Sequence, residues 1–115
     1  MDFAALTDQA RRVRARYAEF EQRRYGRQWT AEEIMLGFVG DVGDLAKLIQ
    51  GKEGVRPTND LDAKLGHELA DCLWAVLTLA DCYSVDLEAA FDSTMADLNT
   101  WLDRAESDDA RTHSE

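Results

Sequence analysis

Proline occurs once in the 115 residues, at Pro57, so nearly the whole chain is free of the residue that most firmly stops a helix. Gly26, Gly51, Gly54, Asn59 and Ser84 fall between long stretches of helical apolar period, which predicts an all-α chain. The first helix is expected over about 2–25, with Leu6, Val13, Tyr17 and Phe20 on one face and Gly26 as its stop. Its polar side carries Arg11, Arg12, Arg14, Arg16, Arg23 and Arg24, either a solvated face or a stripe facing phosphate or a subunit. Thr30 and Glu33 form a capping box for a second helix, expected to run to about Gln50 and stop at Gly51. Ile34, Phe38, Val42, Leu45 and Ile49 are its predicted core stripe.

The segment 52–59, with Gly54 and Pro57, reads as a loop. A third helix follows over about 60–83, with Asn59 as cap and Leu65, Leu69, Cys72, Leu73, Val76 and Ala80 as core. Asp86 caps a fourth, over about 87–105, packing through Phe91, Met95, Leu98 and Leu102. From Glu106 onward the polar sequence predicts fraying. The expected organisation is a single helical domain over 1–105, an antiparallel four-helix bundle, with a flexible tail at 106–115.

Asp and Glu number 23 against 13 Lys and Arg, a formal net charge of −10. That balance argues against a duplex-DNA binder, which needs a basic footprint. It would also repel a nucleotide unless a divalent cation stood between the two. No apolar run approaches the roughly 18–20 residues of a membrane span, and residues 1–10 lack the charged and apolar regions of a signal peptide. A cytoplasmic location is expected, with Cys72 and Cys82 as reduced core thiols. Ten residues apart on one helix they are too distant for a disulfide, and they lack zinc-site spacing.

The candidate chemistry lies in Asp41-x-x-Asp44 and Glu68-x-x-Asp71, two pairs whose members share a helix face. A chain this acidic has roughly four such pairs by chance, so the spacing alone decides little. Their joint placement decides more. At about 100° per residue, each pair falls roughly 100–120° from its helix's apolar stripe, in the same rotational sense. An antiparallel hairpin mirrors one helix against the other, bringing both pairs to one edge of the seam at one height. Asp44 and Glu68 should then face a common cavity within roughly 10 Å. Four carboxylates there would repel unless neutralised, and an oxygen-only set suits Mg²⁺ or Mn²⁺ rather than zinc.

Those residues also carry a resemblance. Leu36-Gly37-Phe38-Val39-Gly40-Asp41-Val42-Gly43-Asp44-Leu45-Ala46 resembles the first motif of the MazG-like, all-α nucleoside triphosphate pyrophosphohydrolases. His67-Glu68-Leu69-Ala70-Asp71-Cys72-Leu73-Trp74 resembles their second, and Cys82-Tyr83-Ser84-Val85-Asp86-Leu87 the linker into their last helix. Gly40 is similar to the branch that includes the dCTP pyrophosphatases. The resemblance covers about residues 28–102. It implies hydrolysis of a nucleoside triphosphate to the monophosphate and pyrophosphate, with Asp41, Asp44, Glu68 and Asp71 holding Mg²⁺, which lowers the pKa of the attacking water and neutralises phosphate charge. It also implies a homodimer or homotetramer with pockets completed across subunits.

Two departures stand out. Both acids of the first motif are Asp where the family normally has Glu. The family's phosphate-binding Lys and Asn on the last helix fall at Thr94 and Leu98, with Asn99 one place off. Lys47, one turn beyond Asp44, is a candidate replacement cation. Trp74, three residues after Asp71, and Trp29, just before the helix cap, are candidates to stack on a base. Trp101 is expected to pack. The departures leave a second reading open, a catalytically weak module that binds a nucleotide or a partner.

Overall fold

A computed structural model describes residues 1–54 and 59–114, with side chains to 112. The expected loop around Pro57 falls partly on 55–58, outside the described residues. Four helices account for the fold, α1 (Phe3–Tyr25), α2 (Ala31–Lys52), α3 (Leu61–Cys82) and α4 (Leu87–Ser114), and no strand occurs among the described residues. None of the four is long and apolar enough to cross a membrane. The chain divides into two compact units, Met1–Ser84 and Val85–Glu115.

In the first unit the helix ends follow the local chemistry. Asp2 caps α1 by accepting the Ala5 N–H at 2.9 Å. At its other end Gly26 takes φ 75°, a left-handed conformation that costs glycine little, and its N–H returns to the Gln22 carbonyl. The Thr30–Glu33 capping box is complete in both directions, and α2 continues past Gly51 to Lys52. Asn59 does not cap α3. Asp60 holds that position at φ 53°, a region Asp tolerates, and makes no side-chain cap bond. Lys52 and Asp62 meet at 2.6 Å where α2 ends and α3 begins.

The helices α2 and α3 pack as an antiparallel hairpin, the Lys52–Asp62 pair at one end and Phe38 and Trp74 beside a shared cavity towards the other. Helix α1 joins α3 through Trp74, whose indole N–H donates to the Ala10 carbonyl at 3.3 Å and whose ring lies 5.7 Å from that of Tyr17. Arg11 adds an ion pair to Asp81 at 2.8 Å. The buried apolar residues are few among the described ones, Ala10, Ile34, Ala75 and Leu77, and two of the four are alanines.

The buried register differs from the predicted one. Each hairpin helix carries two apolar stripes one residue apart. On α2 the less exposed stripe is Ile34, Phe38, Leu45 and Leu48, with Asp41 in the same register. Met35, Val39, Val42 and Ile49 form the other stripe and are exposed. On α3, Leu61, Leu65, Cys72, Ala75 and Leu79 share their register with Glu68, whereas Leu69, Leu73 and Val76 are exposed. On α1, Val13 and Phe20 are exposed while the adjacent Arg14 and Glu21 turn inward. One residue is about 100° of rotation, and both stripes are apolar, so hydrophobicity alone does not separate them. Cys72 is half-buried, but Cys82 is exposed rather than a core thiol; both are free.

In the second unit, Asp86 caps α4 by accepting the Ala89 N–H at 3.1 Å. The helix does not end near Ala105 but continues to Ser114. Ala105, Glu106, Ala110 and Arg111 favour helix without an apolar face, and Thr112 bonds back to the Asp108 carbonyl at 3.0 Å. Phe91, Leu98, Trp101 and Leu102 are exposed on this helix.

Candidate metal centre and nucleotide cavities

Asp41 and Asp44 on α2 and Glu68 on α3 each offer one carboxylate oxygen to a point, those atoms all lying within 4.8 Å of one another. Antiparallel pairing sets the height, and the inward register of Asp41 and Glu68 sets the direction. Glu68 Oε2 is buried and has no hydrogen-bond partner among the described residues. A buried charged oxygen left in that state is costly, and a bound cation would relieve it. Burial pushes the Asp41 carboxyl above the usual range, with the charges of Asp71 and Asp44 adding to the effect and His67 opposing it. Burial likewise raises Glu68, followed by repulsion from Asp41, Asp71 and Asp44. The Cys72 thiol is pushed up by burial and then by the same acids, so it is less a ligand than a neighbour of the cluster.

Asp71 stands slightly apart from the three. Its Oδ2 lies 3.1 Å from His67 Nε2, and its charge is felt by both Asp41 and Glu68. The donor set is all oxygen, converging and short of hydrogen bonds, which fits a hard divalent cation.

Two cavities flank the acids. One, of about 630 Å³, is lined by Asp44, Lys47, Lys64, His67 and Glu68. Lys47 therefore lies beside the acids, joined by Lys64, a cation that sequence reasoning passed over because its role depends on the hairpin. The other, of about 540 Å³, has Asp41 and Asp71 in its wall beside four aromatic residues, Tyr17, Trp29, Phe38 and Trp74. Trp29 and Trp74 thus line one space, together with Arg14 and with Glu21, the latter not singled out by the sequence. Arg14 is the member of the α1 arginine stripe that reaches the site, donating to the Trp29 carbonyl at 2.6 Å. The available signal for Glu21 was a charge four residues after Tyr17, where a core stripe calls for an apolar side chain. Asn99 lies exposed on α4, in the second unit.

All-helical among the described residues, with convergent acids on a hairpin, a basic-edged cavity on one side and an aromatic one on the other, the chain has a site where a divalent cation could be held. The MazG nucleotide pyrophosphohydrolase domain matches residues 29–100, more than half of the chain, and the chain belongs to that family. Membership implies nucleotide pyrophosphohydrolase activity, and members usually bind a divalent metal. The match assigns no branch within the family. No curated protein and no solved structure matches the chain.

Proposed function

We propose that the protein is a Mg²⁺-dependent nucleoside triphosphate pyrophosphohydrolase, converting a (deoxy)nucleoside triphosphate to its monophosphate and pyrophosphate. The observation that carries this reading is the convergence of Asp41, Asp44 and Glu68, one of which keeps a buried carboxylate oxygen without a hydrogen-bond partner. These three, with Asp71, would hold the cation, and Mn²⁺ would suit the same oxygens. When bound, the metal supplies charge neutralisation for the phosphates and a lowered pKa for water. Lys47 and Lys64 edge the first cavity, where they can hold the outer phosphates that become pyrophosphate. Trp29 and Trp74 offer ring faces in the second, suited to a base.

The weak-binding alternative rested on Asp in place of Glu at positions 41 and 44 and on the absence of the last-helix lysine, where Thr94 stands. The shorter side chains nonetheless reach a common point with Glu68, which favours catalysis. The assembly belongs to the same proposal. Met35, Val39, Val42 and Ile49 on α2 and Leu69, Leu73 and Val76 on α3 repeat at coiled-coil spacing and are exposed, so a homodimer or homotetramer that buries them is expected. Sedimentation showing a stable monomer at micromolar concentration would remove that part. The activity itself is tested by pyrophosphate release from a panel of triphosphates with Mg²⁺ and with EDTA. Release that needs Mg²⁺ supports the proposal, and no release from any of the panel overturns it.

A further inference from the structure

Glu21 is an acid in a place chosen for an apolar residue. Its exposure is only 2%, lower than that of any carboxylate in the metal cluster, yet it is not part of that cluster. It lines the aromatic cavity that also contains Asp41 and Asp71. Among the described residues a single hydrogen bond reaches it, from the Trp29 backbone N–H to Oε1 at 2.8 Å. A carboxylate has about four acceptor positions, so most of the capacity of this buried group is unused. Arg14 holds the next peptide unit by donating to the Trp29 carbonyl, which fixes Trp29 against the cavity without consuming Glu21.

Resting on the nucleotide reading above, we propose that Glu21 selects the base: the cavity takes nucleobases whose edge carries an exocyclic amino group and rejects those with a carbonyl oxygen there. The amino groups of cytosine and adenine are N–H donors that would fill an empty acceptor position of Glu21. Uracil and hypoxanthine place an oxygen lone pair at the corresponding atom, against a carboxylate that can only accept. Sites built to hydrogen-bond one ligand edge discriminate strongly against the analogue lacking it, because a buried polar group is then left unpaired. The exposed rings of Tyr17 (50%) and Trp29 (46%) supply stacking, which every base can use, so discrimination falls to the polar lining. There Arg14 is engaged by the Trp29 carbonyl, Glu33 by Arg27, Asp71 by His67 and Asp41 by the acid cluster, which leaves Glu21.

The experiment compares bases that differ at that one position. The α,β-imido analogues of dCTP and dUTP, and those of dATP and dITP, are titrated into the full chain with Mg²⁺, following tryptophan fluorescence. The amino-bearing member should bind at least about ten-fold more tightly in whichever pair the cavity admits. Glu21→Gln keeps an oxygen for the Trp29 N–H and turns an amide N–H₂ toward the base, so the ratio should fall to about one or reverse. A residue that merely holds Trp29 would weaken both members equally and leave the ratio unchanged, which overturns the proposal. Equal binding of both members by the wild type, or binding of none of the four, does the same without reference to the variant's folding. Pyrophosphate release from dCTP and dATP is measured separately: selective binding without turnover sinks the hydrolase reading and leaves base selection by Glu21 standing.

Discussion

Helix α2 carries two carboxylate settings two turns apart, and they differ in who supplies the partners. Glu33 is satisfied by the chain. Arg27 grips both of its oxygens at 2.7 Å, and the Thr30 N–H adds a bond at 3.2 Å. The Arg27 hydrogen bonds, followed by the Thr30 N–H, hold its carboxyl down to about 2. Asp41 meets Glu68 and Asp44 instead, with burial and like charges raising it and Glu68 above their usual range. An acid whose needs are met locally is a staple, whereas acids left short of partners together could hold a cation.

The sharpest way to break this comparison is to neutralise one member of the cluster. Glu68→Gln removes a charge with little change of volume. Turnover is expected to fall by about two orders of magnitude or more, while the metal-free protein melts no lower than wild type, because less repulsion remains. Pyrophosphate assays beside melting curves in EDTA check both halves. Turnover intact with a metal-independent loss of stability would make Glu68 an ordinary structural acid.

Metal itself should produce the next largest effect. Excess Mg²⁺ is expected to raise the melting temperature of wild type by several degrees, as any ligand of the native state does, and to do far less for Asp41→Asn. The pH dependence has a definite sign. The folded pKa values of Asp41 and Glu68 are raised above the unfolded ones, so the metal-free fold binds more protons than the unfolded chain. Their burden on stability is therefore absent below the usual carboxylate range and grows as pH rises through the raised values. The Mg²⁺ shift should grow over that same rise. A shift independent of pH would separate the stabilisation from these acids.

How far this was legible in the sequence depends on what each feature needed. Helix number and most boundaries were readable because Thr30, Glu33 and Gly26 act within one turn of chain. The approach of Asp44 to Glu68 followed from hairpin length and matching height, but not from the rotation, which was measured from the wrong stripes: Asp41 and Glu68 lie in the inward register rather than at the edge of the seam. The buried register did not follow: Val42 and Ile49 are as apolar as Phe38 and Leu48, and the inward choice between neighbouring stripes is made by packing between helices. The same one-residue ambiguity hid Glu21 and Arg14 behind Phe20 and Val13. Lys64 and His67 join the site only when α3 folds back on α2.

Smaller effects come from the cations at the cavity edge. Lys47→Ala and Lys64→Ala should each raise KM by about ten-fold or less with little change in kcat, and the increase should shrink at high salt. A fall in kcat alone would instead place the lysine's contact in the transition state only.

The smallest expected effect lies at Glu33, and its sign is the reverse of the cluster's. The folded pKa is about 2, below the ordinary 4.5, so the stabilisation from Arg27 and Thr30 is fully present above the ordinary value and disappears as pH falls through about 2. Glu33→Gln keeps a side chain that can complete the capping box, so only the charge-dependent part is lost. The group sits at the surface, and the loss near neutrality should be small. Melting curves at pH 7, 4 and 2 should show the variant slightly below wild type at the first and converging with it at the last. Asp41→Asn should instead start at or above metal-free wild type at pH 7 and converge from that side. A Glu33→Gln gap that stays constant across the range would mean that the ion pair with Arg27 contributes nothing, and that the contrast between the two settings lies only in the cluster.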